Sequence, residues 1–130
     1  MLIDTHILLW FQGEPERLSL QERQLIEQAQ ENDELFLSVI TFWEITMLSR
    51  SQRVTLCRPF GQWKKQTIES FKVIDIDVDI AVESMSLLEC DHKDPADRFI
   101  IATARIHDMP LMTHDKKMLA YAKKGYVRLV

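Results

Sequence analysis

Short apolar runs alternate with amphipathic segments along the chain, a pattern that predicts βα units around a mainly parallel sheet. Leu2–Thr5 reads as a first strand, and His6–Phe11 as a brief helix broken near Gly13 and Pro15. Ser19 with Glu22 makes a capping box for a helix to about Glu31, with Leu18, Leu25, Ile26 and Ala29 as a partial apolar stripe. Leu35–Ile40 predicts a second strand, and Thr41 caps a helix to about Arg50. Arg53–Gly61, containing Pro59, connects to a helix from about Phe60 to Ser70. Lys72–Ile76 is rich in β-branched residues and predicts a third strand, followed by a helix over Val78–Glu89. Asp94 as N-cap and Pro95 at the first helical position start a helix to about His107. Leu111–Thr113 is a fourth strand, Lys116–Lys124 a helix that Gly125 ends, and Tyr126–Val130 a last edge strand. The fold class is α/β, and the whole chain, residues 1–130, fits one domain.

Four carboxylates interrupt this pattern beside apolar segments. Asp4 is the only charge in Met1–Phe11, and Glu44 the only one in Leu35–Leu48. Asp97 opens the apolar stretch Asp97–Ala104, and Asp115 follows Pro110–His114. Burying a carboxylate is unfavourable by several kcal/mol unless something compensates it. In an open parallel sheet, ligands bind beyond the carboxyl ends of the strands. Asp4 and Asp115 lie at such ends. Glu44 shares a helix face with Ile40, Thr41, Met47 and Leu48, and Asp97 shares one with Ile100 and Ile101. All four can meet at one edge of the sheet.

Acids gathered there repel one another, and a divalent cation removes that conflict. With no His or Cys at matching positions, the expected ligand set is all oxygen, which suits Mg²⁺ or Mn²⁺ better than Zn²⁺. Such sites hydrolyse phosphodiesters by activating a water and stabilising the charged transition state. Local alternatives exist for three of the acids. Asp94 reads first as a helix N-cap and second as a ligand. Asp97 can answer it in a capping box, and Asp115 can cap the last helix. Asp4 and Glu44 are harder to explain structurally, because neither has an obvious basic partner nearby in sequence.

Bulk properties narrow the field. With 46% hydrophobic residues the chain can bury a real core, and only three Gly and four Pro argue against long disordered linkers. The net charge of −4 gives no broad electrostatic grip on nucleic acid, although a bound metal can reverse the local field. Cys57 and Cys90 have no metal-ligand spacing and read as reduced thiols of a cytoplasmic protein. No apolar run approaches the ~20 residues that span a bilayer, and the N-terminus has no signal-peptide pattern, so no membrane partner is expected.

With these motifs in order, the chain resembles a PIN domain, specifically the VapC-type toxins of bacterial toxin–antitoxin pairs. Leu2–Trp10 (LIDTHILLW) resembles the family's first strand and catalytic aspartate, at Asp4. Ser38–Leu48 (SVITFWEITML) resembles the segment carrying its glutamate, at Glu44. His92–Ala104 (HKDPADRFIIATA) resembles the third motif, with Asp97 as metal ligand and Asp94 secondary. Leu111–Lys116 (LMTHDK) resembles the fourth, placing Asp115 and a helper Thr113. The resemblance implies a PIN-like αβα sandwich and an Mg²⁺- or Mn²⁺-dependent endoribonuclease. Such an enzyme leaves a 5′-phosphate and a 3′-hydroxyl on structured RNA such as tRNA or rRNA. It also implies a homodimer and silencing by a small cognate antitoxin.

On this reading Asp4, Glu44 and Asp97 form the core metal set, with Asp115 an outer ligand or second-metal site. Thr5, Ser38 and Thr113 are candidates for holding metal-bound waters or phosphate oxygens, the alternative being local backbone bonding. Arg98 and Lys116 either pair with a phosphate or offset the acids. Arg50, Arg53, Arg58, Lys64 and Lys65 form a basic region suited to an RNA backbone or to a plain solvated face. His6, His92, His107 and His114 match no metal motif and read as structural or surface residues, and Trp10, Phe36, Phe42 and Trp43 as core or dimer surface. A receiver-type phosphoacceptor domain, a catalytically silent PIN binding module and a DNA nuclease are the competing readings.

Overall fold

The computed structural model describes all 130 residues. Four parallel strands, β1 (Leu2–Ile3), β2 (Phe36–Ser38), β3 (Lys72–Ile74) and β4 (Leu111–Met112), form one sheet in the order β3-β2-β1-β4. The helices are α1 (Thr5–Gly13), α2 (Leu20–Glu31), α3 (Val39–Arg50), α4 (Phe60–Ser70), α5 (Val78–Met85), α6 (Pro95–Ile106) and α7 (Lys116–Lys123). A short 3-10 turn, Pro15–Arg17, links α1 to α2.

Strand alternation builds the two layers. Ile3, Leu37 and Met112 join Ile7, Leu8, Ile26, Ile45 and Trp63 in one core, formed with α1 to α4. Leu2 and Leu111 point the other way and pack with Ile100, Ile101, Met118 and Tyr121 of α6 and α7. The result is the expected αβα sandwich. The chain runs outward from β1 to β2 and β3, then returns to the other side of β1 as β4. The switch point of the sheet therefore lies between β1 and β4, where such sheets open a ligand crevice.

Locally encoded starts match the sequence. Ser19 and Glu22 exchange both bonds of a capping box, Asp94 caps α6 with Pro95 behind it, and Gly125 takes φ 87° after α7. Three boundaries differ by more than two residues. Ser38, not Thr41, caps α3, accepting from the Ile40 amide at 3.3 Å. The β-branched run Val39–Thr41 suggests strand, but here it forms the first turn of a helix packed on the sheet. The Thr41 hydroxyl instead meets that of Thr5, the two oxygens 3.3 Å apart.

The helix predicted over Val78–Glu89 stops at Met85. The Arg98 guanidinium takes the Ser84 carbonyl at 2.7 Å, removing the acceptor that a further turn would use. Finally, Tyr126–Val130 forms no extended strand. It is reduced to a single bridge between Leu111 and Leu129, held by two backbone bonds to Leu111.

Candidate active site

Each predicted acid reaches the carboxyl edge of the sheet by a different element. Asp4 ends β1 and caps α1, its Oδ1 accepting from the Ile7 amide at 2.8 Å. Its other oxygen accepts from the Thr113 hydroxyl at the end of β4. Thr113 Oγ1 in turn accepts from the Asp115 amide at 3.0 Å, so one hydroxyl ties the first and fourth motifs together. Asp115 caps α7, accepting from the amides of Lys117 and Met118. Glu44 projects from the second turn of α3 on the face that carries Thr41, Ile45 and Leu48. It is 7% exposed, and its Oε1 is buried with no hydrogen-bond partner. Asp97 sits in the first turn of α6, two residues after Pro95.

These side chains converge. Ligand atoms of Glu44, Asp94 and Asp97 lie within 4.8 Å of one another, as do those of His92, Asp97 and Asp115. Asp97 belongs to both groups and is the hinge of the cluster. Asp4 is tied to the same edge by Thr113, which bonds both its carboxylate and the Asp115 amide. Asp94 caps α6 through the Ala96 and Asp97 amides, and its carboxylate also lies near those of Glu44 and Asp97.

The electrostatics reflect crowding in a dry setting. Burial pushes the Asp4 carboxyl up, against the hydrogen bonds from Thr113 and Ile7. Burial likewise raises Glu44, with a Thr5 hydrogen bond opposing it and Asp94 and Asp4 adding to it. Asp97 is pushed up to about 8, first by burial and then by the carboxylates of Asp94, Glu44, Asp115 and Asp4. A cluster held at this cost, with an unpartnered buried oxygen on Glu44, suits a hard dication that would supply the missing positive charge.

The sequence reading missed His92. This imidazole is 6% exposed, and its Nε2 lies 2.6 Å from Asp97 Oδ2 and 3.5 Å from Asp115 Oδ1. The expectation that no histidine stands among the acids is corrected accordingly. The one sequence signal was position: His92 lies two residues before a cap, and its Nδ1 faces the Asp94 amide at 3.4 Å. His114 turns away from Asp115, as alternation on a strand predicts, and meets Glu22 of α2 at 2.5 Å.

The accessory candidates divide. Thr5 and Thr113 touch Glu44 and Asp4 respectively. The Ser38 hydroxyl is spent on the α3 cap. Arg98 does not face the acids for charge balance: it holds the carbonyls of Ser84, Cys90 and His92 at 2.7, 3.5 and 2.9 Å, and so anchors the loop that carries His92. Arg50, Arg53, Arg58, Lys64 and Lys65 are all exposed, and none of the five makes a salt bridge.

Residues 1–124 match the family model of the PIN domain. The chain belongs to the PIN domain family. A receiver-type reading is thereby set aside. This PIN domain is 34% identical over 121 residues to Ribonuclease VapC22 of Mycobacterium tuberculosis (strain ATCC 25618 / H37Rv), covering 93% of this chain and 91% of that protein. Among solved structures it is similar to a toxin–antitoxin complex from Klebsiella pneumoniae, with TM-score 0.63, 26% identity, and 92% and 89% of the two chains covered. FitAcB from Neisseria gonorrhoeae shares the fold, with TM-score 0.64, 20% identity, and 98% and 94% covered. No helix of this PIN domain is long and apolar enough to cross a membrane.

Proposed function

We propose that the protein is a divalent-metal-dependent endoribonuclease, acting as a toxin that a small cognate antitoxin silences. The observation that carries this reading is the shared position of Asp97 in two ligand groups, beside the unpartnered Oε1 of buried Glu44. Similarity to a protein named a ribonuclease supports the substrate class, and similarity to a toxin–antitoxin complex supports the partner.

Asp4, Glu44 and Asp97 would hold Mg²⁺ or Mn²⁺, with Asp115 as outer ligand or second-metal site and Asp94 alongside. When bound, the ion supplies a water of lowered pKa and neutralises charge at the phosphate. The chain's own residues do the positioning. Thr113 and the Ile7 amide fix both oxygens of Asp4. His92 Nε2 lies 2.6 Å from Oδ2 of Asp97, whose carboxylate also lies near those of Glu44 and Asp94. Hydrolysis adds water across the phosphodiester, breaks the bond to the 3′-oxygen, and leaves a 5′-phosphate and a 3′-hydroxyl.

A homodimer is part of the proposal. Val78, Val82 and Met85 form an i, i+4, i+7 stripe on α5, 78%, 60% and 79% exposed. A second copy of the same stripe would cover it.

The test is cleavage of tRNA and rRNA by purified protein with Mg²⁺, with mapping of new ends. Wild type is expected to generate 5′-phosphate ends that vanish with EDTA and in Glu44→Gln. Equal cleavage by Glu44→Gln would overturn the assignment.

A further inference from the structure

Beside the acids, α1 carries a row of aromatic and cationic groups that the proposed hydrolysis does not use. His6 and Trp10 lie one helical turn apart, with ring centroids 6.2 Å from each other. His6 is exposed in the first turn of α1, the helix that Asp4 caps, so the row begins beside the acidic cluster. The Trp10 indole is half-buried against the α1–α4 core. The Arg17 guanidinium lies over the indole at 5.1 Å, and the His114 ring meets it edge-on at 5.2 Å. Glu22 of α2 holds His114, which directly precedes Asp115. The indole thus meets His6 of its own helix, Arg17 of the 3-10 turn and His114 after β4, and its helix begins at Asp4.

A packing residue does not require this polar frame. Resting on the ribonuclease reading, we propose that Trp10 is a stacking platform for a base of a single-stranded RNA segment next to the cleaved phosphate. A chain of net charge −4 with an acidic centre gains little from long-range attraction to RNA. Stacking is independent of charge and tolerant of sequence, because every base has a π face. Arg17 is 53% exposed and pairs with Glu14 at 3.3 Å. It can yield the indole face to a base or stack on that base with its own plane. With Glu14 and Glu22 in the frame the local charge is nearly balanced. Binding through Trp10 should therefore be insensitive to salt, unlike binding through phosphate contacts.

The test uses the full chain carrying Asp97→Asn, so that RNA is not consumed, with a labelled single-stranded oligoribonucleotide of mixed sequence as probe. Adding Trp10→Leu should weaken binding about 5- to 150-fold, equally at low and high salt, and Trp10→Phe should restore most of it. In the active enzyme the same change should raise KM much more than it lowers kcat. In the Asp97→Asn protein, 5-iodouridine RNA should photocrosslink to the peptide containing Trp10, a readout that holds even if Trp10→Leu fails to fold. If wild type cuts RNA, Glu44→Gln does not, and folded Trp10→Leu matches wild type, the platform falls while the nuclease stands. Absence of a crosslink at Trp10 also refutes it. If Trp10→Leu loses binding to a small protein antitoxin but keeps RNA binding, the surface belongs to that protein and the proposal is overturned. If wild type neither binds nor cuts RNA, both readings fall.

Discussion

Replacing Asp97 with Asn should stabilise the metal-free protein near neutral pH. The Asp97 carboxyl moves from an ordinary 3.8 up to about 8 in the fold. Below about pH 4 both folded and unfolded chains hold its proton, and the site imposes no penalty. As pH rises from there, the unfolded chain sheds the proton while the folded one keeps it, so stability falls until about pH 8 and then levels off. At pH 7 the gap is about 3 units, which at about 1.4 kcal/mol each sets an upper limit of about 4 kcal/mol. The side chain is 17% exposed. Solvent screening reduces the effect to about 2 kcal/mol. For a chain of this size that is about 8 °C in Tm. Asn cannot ionise, so Asp97→Asn in EDTA should melt close to wild type at about pH 4 and about 8 °C higher at about pH 7.5. Mn²⁺ should then raise wild type and leave the variant nearly unmoved. Thermal melts across pH, with and without Mn²⁺, decide the matter. A variant that melts at or below wild type throughout would refute the idea that carboxylate crowding destabilises the empty site.

Thr113→Val keeps the shape but removes the donor to buried Asp4 and the acceptor for the Asp115 amide. It should lower stability by about 1–3 kcal/mol in urea unfolding, and an unmoved midpoint would deny Thr113 its linking role. Arg98→Lys keeps the charge and loses the fork that spans three carbonyls. A loss of about 2 kcal/mol is expected, with faster amide exchange across residues 86–94, and native-like protection there would contradict it. Val82→Glu on the exposed α5 stripe should shift the protein to monomer in light scattering while its circular dichroism stays native, whereas a dimer that persists removes α5 as the interface.

Features set by a few neighbouring residues were legible in the chain. The Ser19–Glu22 box and the Asp94–Pro95 start are local chemistry, and the fold keeps them. So are the lone acids in apolar runs, whose isolation signalled a common destination. Features set by distant contacts were not legible. The end of α5 depends on Arg98 reaching back 14 residues to the Ser84 carbonyl. The start of α3 depends on Val39–Thr41 packing as a helix where β-branching suggests strand. His92 carries no motif spacing to Asp97 or Asp115, and only the loop held by Arg98 brings its imidazole between them. The closing strand shrank to one bridge: its backbone bonds to the sheet go to Leu111, while Arg105 holds the Tyr126 carbonyl.

Anomalous diffraction from crystals soaked in Mn²⁺ bears most directly on the central claim, a single acid pocket built to hold a dication. The account predicts a strong peak bounded by Asp4, Glu44 and Asp97, lost in Glu44→Gln crystals. A wild-type map with manganese elsewhere on the molecule, and none among these three carboxylates, would contradict it.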